Sequence, residues 1–439
     1  MRCSSLRIGQ VKIDNSPARG TRDLLPDTVA VRDRVLNTIT GVYRRYGYQR
    51  IETPCLEDIR RLTGGDGGEN EKLIFRILRR GLPDRVGAGT DVSELVDLGL
   101  RFDLTVPLTR FYGNNHAALP VPFRSFQFGP VWRAERPQKG RYRQFHQCDI
   151  DLVGESGVLA EAELIEATSH ALAAVGLSGT TVRLSDRRFL SALAADAGLS
   201  ERSWDGFFIS LDKLDKIGWD GVRAELVDRR GLPADTVTGA LERIEALRGL
   251  DASKVIDAIA TVVPTLDDQV LADLSTTTGC LDQVANTGEL RWEFDPTLVR
   301  GMGYYTGQIF EVTHPKSSSS VAGGGRYDRL IGRSLGRDIP ACGFSIGFER
   351  IVDLLDQTPD RQAVAVLYDA DVPVADALRV ARDLRAEGRT ASSVRRQGRF
   401  ATQLDRLASW GFTSFVHLRP DQDPTIPPTE RVLGHHAQP

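Results

Sequence analysis

The sequence predicts an α+β protein: an antiparallel sheet flanked by helices, with a helical insertion and a small C-terminal α/β domain. Three stretches carry that prediction. Phe123 to Gly154 reads as strand, basic loop, strand. Residues 187–288 show helical patterns with dispersed charge and few Gly or aromatic interruptions. Residues 362–439 alternate as βαβαβ, the order of a small parallel sheet. The expected divisions are a loose tail over 1–16, a main domain over 17–186 and 289–355, the helical insertion over 187–288, and a C-terminal domain over 361–439.

The totals exclude several classes. A chain of 439 residues is long enough for two to three domains and a large core. Charged residues make up 26% and apolar residues 41%, as in an ordinary globular protein. The net charge is −3, so any attraction to nucleic acid must come from local basic patches. Cys3, Cys55, Cys148, Cys280 and Cys342 are scattered and odd in number, which argues against a disulfide framework or a structural zinc site. No stretch has the length and apolarity of a signal peptide core or a membrane span. The expectation is a reduced, cytoplasmic protein with no membrane contact and no metal held by a dedicated side-chain cluster.

The elements follow in order. Asp27 is a candidate N-cap for a helix over Thr28–Tyr46, with Val31, Val35, Ile39, Val42 and Tyr46 at helical spacing. Tyr48–Thr53 reads as a strand that Pro54 ends or holds at an edge. Leu73–Leu78 is a short strand, and Leu98–Arg101 another. Asp103 and Thr105 stand at the strand-to-helix turn that follows, before a helix starting near Val106-Pro107. There they can reach a ligand or simply cap the helix.

The hairpin at 123–154 holds the densest chemistry. Its first strand breaks at Gly129-Pro130 and closes on Arg133, and its loop carries Arg136, Lys139, Arg141 and Arg143. Alternation puts Gln147, Asp149 and Asp151 on one face and His146, Cys148 and Ile150 on the other. Arginine and carboxylates on one open face suit a substrate with an anionic and a cationic end. An exposed charged hairpin is the competing reading.

Leu159–Ala174 is a helix, and Thr180–Leu184 is a strand ahead of the insertion. Phe294–Thr313 reads as strand, Gly-rich kink, strand. Arg300 lies just before Gly301 and Gly303, where a guanidinium can hold a phosphate or carboxylate with little backbone obstruction. Tyr304 and Tyr305 alternate, so only one can line a given site. Ser317–Ser320 is a linker, followed by a Gly-rich run ending in Arg326-Tyr327-Asp328. Cys342–Gly347 is a strand leading into a helix with Arg350 in its first turns, a position from which it could contact a polyphosphate. In the C-terminal part, strands at 363–367, 390–394 and 414–418 alternate with helices at 372–388 and 399–410. The proline-containing tail reads as poorly ordered.

Three stretches together resemble a known family: RAERPQKGRYRQFHQCDIDLVG, LVRGMGYYTG, and GGGRYDRLIG with ACGFSIGFERI. They are similar to histidyl-tRNA synthetases, within the class II aminoacyl-tRNA synthetases, over about 17–355 and more weakly over 361–418. The resemblance implies a class II synthetase-type antiparallel sheet, a catalytic main domain and an anticodon-binding-like C-terminal domain. It implies ATP and Mg²⁺, with L-histidine and tRNA(His) as partners, and a homodimer with Pro54 at its interface.

By the same resemblance Arg133 holds the α-phosphate of ATP, Arg350 the γ-phosphate, and Arg141 belongs to the ATP-binding set. Arg300 neutralises charge as the histidine carboxylate attacks. Asp103, Thr105 and Gln147 hold the α-amino group. Asp151 and Tyr305 hold the imidazole, and Tyr304 and Tyr327 complete the histidine-binding set. The family has Asp where this chain has Gly303, and the C-terminal basic loop is thin, essentially Arg395, Arg396, Gln397, Gly398 and Arg399. Two alternatives stay open: a paralogue that activates histidine for an acceptor other than tRNA, and a non-catalytic histidine-binding regulatory subunit of ATP phosphoribosyltransferase. Arg133, Arg300 and Arg350 argue against the second, because a histidine binder needs no phosphate-directed arginines.

Overall fold

Eight strands form the main sheet of the computed structural model, in the order β1 (Gln49–Arg50), β5 (Phe123–Trp132), β6 (Gln144–Val153), β11 (Ala341–Gly347), β10 (Ala322–Arg326), β9 (Gln308–Thr313), β7 (Thr181–Asp186) and β8 (Trp292–Phe294). The structure describes residues 15–64, 73–82, 87, 89–138, 140–286, 288, 290–299, 305–355, 363–422 and 428–433. Two compact units emerge, Met1–Gln357 and Thr358–Pro439.

The first unit opens with α1 (Pro26–Arg45). The helix starts at Pro26 rather than after an Asp27 cap. Leu25 is the N-cap, Pro26 takes the first turn, where a missing N–H costs nothing, and Asp27 faces the positive helix end. The apolar stripe is as expected through Val31, Val35, Ile39 and Val42, and Tyr43 rather than Tyr46 completes the buried set. The strand expected over Tyr48–Thr53 shrinks to β1 (Gln49–Arg50), paired parallel with β5. Past Pro54 the chain joins a separate three-stranded sheet of β2 (Leu56–Asp58), β3 (Arg76–Leu78) and β4 (Val96–Leu100), with α2 (Ile59–Thr63) and α3 (Val92–Leu95) beside it. Next comes α4 (Thr105–Asn115).

The central hairpin is β5 (Phe123–Trp132) with β6 (Gln144–Val153). The break expected at Gly129-Pro130 does not occur, and β5 runs straight through. Opposite Pro130, His146 turns its N–H away from β5 and donates it to Glu349. This is a pairing position where no ladder bond needs a proline N–H. After α5 (Leu159–Ala174) and β7 (Thr181–Asp186) come α6 (Arg187–Asp196), α7 (Glu201–Leu211), α8 (Leu214–Ala224), α9 (Ala234–Leu247), α10 (Ala252–Val262) and α11 (Asp268–Ala285). The chain returns to the sheet through β8 (Trp292–Phe294), β9 (Gln308–Thr313) and β10 (Ala322–Arg326). Then follow α12 (Asp328–Ile331), β11 (Ala341–Gly347) and α13 (Phe348–Leu354).

One face of this sheet is buried. Cys148, Ile150 and Leu152 of β6, Phe344 and Ile346 of β11, and Phe310 and Val312 of β9 pack with the apolar sides of α1 and α5. The same apolar core continues into the insertion helices through Phe189, Phe207 and Phe208. Burial of that face turns the polar residues of the same strands toward the opposite face.

The second unit is a four-stranded sheet in the order β13-β12-β14-β15, built from β12 (Ala363–Tyr368), α14 (Val374–Ala386), β13 (Thr390–Arg395), α15 (Phe400–Ser409), β14 (Phe412–Leu418) and β15 (Glu430–Val432). The expected βαβαβ order holds, with β12 parallel to both β13 and β14. The tail departs from expectation. Glu430–Val432 adds an antiparallel strand to β14, tied by an Arg389–Glu430 ion pair at 2.5 Å. Among the described residues, no helix is long and apolar enough to cross a membrane.

Candidate active site

Strand register builds the floor of the site. Across β5, β6, β11, β10 and β9, Gln127, Asp149, Ser345, Gly323 and Glu311 stand in one row. The neighbouring row runs Ser125, Asp151, Gly343, Gly325 and Ile309. Carboxylates on β6 therefore face small residues on β11 and β10. The smallness is required at Gly343. A Cβ there would stand 2.2 Å from Asp151 Oδ1 and 3.1 Å from the Tyr327 ring.

Above this floor lies a cavity of about 540 Å³. Arg133, Arg141 and Arg350 line it, as do Asp103, Thr105, Gln147 and Tyr305. Residues from the hairpin, the β4–α4 turn, β9 and the start of α13 thus meet in one place, although they are far apart in sequence. Asp151 and Tyr327 lie deeper, at 3% and 2% exposure, joined by a 2.5 Å hydrogen bond from the Tyr327 hydroxyl to Asp151 Oδ1. Arg300 and Tyr304 fall outside the described residues. Leu298 and Tyr305, on either side of them in sequence, line the cavity.

Arg133 and Arg350 are each anchored by one part of the side chain. Arg133 Nε donates to the Phe102 carbonyl at 3.0 Å, and its guanidinium stands 5.1 Å from the Phe145 ring centre. Arg350 Nη1 donates to the Ser320 carbonyl at 2.6 Å. Such anchoring fixes the direction of the planar fork, and a fixed fork recognises phosphate or carboxylate oxygens in pairs.

Asp103 bonds to the start of α4 and also borders the cavity. Its Oδ1 accepts the Val106 N–H at 3.0 Å at the start of α4, and its side chain lines the cavity. Burial pushes its carboxyl up, while the Val106 N–H and the nearby Arg133 charge act the other way. Gln147 Nε2 donates to Ser345 Oγ at 3.0 Å, and Ser345 donates to Asp149 Oδ1 at 2.5 Å. Burial raises Asp149 well above the ordinary carboxylate range, with further help from Asp151 beside it. Asp151 is pushed up to about 7 by burial, against the stabilising Tyr327 bond. Its Oδ2 is buried without a hydrogen-bond partner. A buried carboxylate that is poorly satisfied is a receptor for a donor or a cation.

Sequence reasoning left several cavity residues unassigned. Asp149 belongs to the polar face that alternation predicts, and no motif singles it out. Ser345, Glu135, Glu311 and Glu349 also line the cavity. Ser345 owes its place to the β6–β11 register, which no short-range signal reveals.

Comparison with known proteins fits this geometry. The histidyl-tRNA synthetase family model matches residues 20–351. The chain belongs to the histidyl-tRNA synthetase family. A histidine–tRNA ligase of Leifsonia xyli subsp. xyli is 48% identical over 414 residues, covering 92% of this chain and 96% of that protein. A crystal structure of histidyl-tRNA synthetase from Nostoc sp. superposes with a TM-score of 0.77 at 25% identity, covering 93% of this chain and 92% of that one. A crystal structure from Bacillus halodurans, described as an ATP phosphoribosyltransferase regulatory subunit/histidyl-tRNA synthetase, gives a TM-score of 0.76 at 24% identity. It covers 92% of this chain and 98% of that one. At that identity the likeness is one of fold alone, so it lends the regulatory reading no support. ATP use follows from the family.

Proposed function

We propose that this chain is a histidine–tRNA ligase. It joins L-histidine to ATP, releases pyrophosphate, and passes the histidyl group to tRNA(His). The observation that carries this reading is the meeting of Arg133, Arg141 and Arg350 with the Asp103, Gln147 and Tyr305 side chains around one cavity, over a floor that holds Asp149 and Asp151.

In the first step a histidine carboxylate oxygen bonds to the α-phosphorus while the bond to the pyrophosphate oxygen breaks. Two anions must approach, and charge spreads over phosphoryl oxygens. Positioned cations and dipoles supply this catalysis without a covalent nucleophile. Arg133 serves the α-phosphate, and Arg141 and Arg350 the leaving end. Arg300 is assigned to neutralise charge as carboxylate meets phosphate, a role supported by the family resemblance. In the second step the terminal ribose hydroxyl of tRNA attacks the histidyl carbonyl, and AMP departs.

Asp103, Thr105 and Gln147 hold the α-amino group. Asp151 accepts from one imidazole nitrogen, with Tyr327 fixing the carboxylate and Tyr305 completing the pocket. An amino acid without those nitrogens would leave Asp151 Oδ2 buried without a donor, which is a strong basis for rejection. Mg²⁺ commonly keeps several waters and takes one or two carboxylates plus substrate phosphates. Glu135 and Glu311 at the cavity fit that demand, and no group of three or more metal-ligating side chains occurs among the described residues. Mg²⁺ would supply charge neutralisation at phosphate oxygens. A cytoplasmic homodimer is the assembly this reading carries, supported by the exposed Leu56 and Leu78 on the small sheet that follows Pro54.

Incubation with ATP, L-histidine and total tRNA tests the reading. It predicts histidine esterified to tRNA. Adenylate formation with no charged tRNA would move the assignment to a different acceptor.

A further inference from the structure

Arg22, in the segment before α1, bonds to two residues that line the cavity. Arg22 Nη1 donates to the Tyr142 hydroxyl at 3.0 Å, with the guanidinium 4.0 Å from that ring's centre. Arg22 Nη2 donates to Glu349 Oε2 at 2.5 Å. Tyr142 and Glu349 both line the cavity, and each is the sequence neighbour of a phosphate-directed arginine, Arg141 and Arg350. The backbone follows the same path. Arg143 N–H donates to the Gly20 carbonyl at 2.8 Å, and Arg143 Nη1 donates to the Arg19 carbonyl at 3.4 Å. Gly20 has φ +86°, and a Cβ there would stand 2.8 Å from both Arg143 and Pro137. The segment is therefore pressed against the basic loop at a point where only glycine fits.

Glu349 is held independently. Arg32 of α1 donates to both its oxygens, at 2.6 and 2.9 Å, and the His146 N–H donates to Oε1 at 3.1 Å. The carboxylate would keep these partners without Arg22. Among the described residues, Arg22 is the side chain that links Tyr142 of the basic loop to Glu349. Arg22 is also partly open, with its side chain 33% exposed, and half-exposed ion pairs add little to global stability. A planar fork joining two elements is better suited to fixing their spacing than to holding the fold.

We propose that Arg22 is a positioning residue for ATP. By tying Tyr142 in the β5–β6 loop to Glu349 at the start of α13, it holds Arg141 and Arg350 at the separation a bound triphosphate requires. The proposal rests on the ATP-dependent reading of the cavity and adds to it a residue that does not touch the nucleotide. Positioning lost by a small displacement is expensive for a reaction that depends on fixed charges.

Histidine-dependent ATP–pyrophosphate exchange with the full chain tests it, using wild type, Arg22→Ala, Arg22→Lys, Tyr142→Phe and the Arg22→Ala/Tyr142→Phe double variant. Arg22→Ala should raise the KM for ATP about tenfold, equivalent to ~1.4 kcal/mol. Its kcat should fall by less than about threefold, and its KM for histidine should change by less than about twofold. Arg22→Lys keeps the charge without the two-way fork and should lie between. Because the two groups act through one bond, the double variant should be no worse than Arg22→Ala alone. An unchanged KM for ATP in Arg22→Ala overturns the proposal, and so do equal losses for ATP and histidine or additive effects in the double variant. If Arg22→Ala fails to fold, Arg22→Lys and Tyr142→Phe decide by the same split between ATP and histidine. Absence of exchange in the wild type would instead remove the ATP-dependent reading itself.

Discussion

The Tyr327 hydroxyl donates to Asp151 Oδ1 at 2.5 Å, joining the residue after β10 to the floor of β6. Both side chains are almost wholly buried, so this bond decides how the Asp151 carboxylate is presented. Tyr327→Phe should weaken histidine binding by about tenfold, in line with loss of a hydrogen bond to a charged group. Isothermal titration with L-histidine checks this, and ATP affinity should stay near wild type.

The raised position of Asp151 has a consequence for stability. Its carboxyl titrates near 7 in the fold against about 3.9 in an unfolded chain. The unliganded protein therefore loses stability as pH rises from about 4 through 7, because ionising this group costs more in the fold than outside it. Asp151→Asn removes that cost. Its melting temperature relative to wild type should climb across this window, as thermal unfolding at stepped pH will show.

Gly343→Ala should damage the histidine site directly. The added Cβ would lie 2.2 Å from Asp151 Oδ1 and 3.1 Å from the buried Tyr327 ring, which leaves the carboxylate little room to yield. Overpacking of this kind costs about 1–3 kcal/mol, and the displaced carboxylate should lower histidine affinity as well. Denaturant unfolding and histidine titration measure the two effects separately.

Glu349 behaves in the opposite sense to Asp151. The Arg32 and His146 hydrogen bonds and the Arg32 charge outweigh burial and hold it down at about 2. Its contribution is fully present above about pH 4.5 and is lost as pH falls toward 2. Glu349→Gln leaves Arg32 buried beside a neutral partner, so it should destabilise the fold at pH 7 by about 3 kcal/mol or more. The same variant should lack the wild-type loss between pH 4.5 and 2. Unfolding followed by circular dichroism at both pH values tests both statements.

Local patterning revealed much of this architecture. Alternation along Gln144–Val153 separates the buried Cys148 and Ile150 from the polar Gln147, Asp149 and Asp151, because the pleat allows no other arrangement. Helical spacing likewise finds the buried face of α1. What sequence left out depended on partners. Pro130 reads as a strand breaker until His146 is seen turning its N–H toward Glu349. The strand at Glu430–Val432 has no signal of its own and exists because β14 offers an edge. The links from Gln147 through Ser345 to Asp149, and from Tyr142 through Arg22 to Glu349, join residues brought together only by the fold. The family wording pointed to Arg133, Arg141 and Arg350 one at a time, and the structure supplied their common cavity.

The account stands on one cavity that brings ATP and histidine together, and exchange of labelled pyrophosphate into ATP measures that most directly. With each of the twenty amino acids offered in turn, exchange should appear with L-histidine alone and should drop by orders of magnitude in Arg133→Ala. Exchange with a different amino acid, or none with any, would contradict the assignment of Asp103, Gln147, Asp151 and Tyr305 to a histidine site.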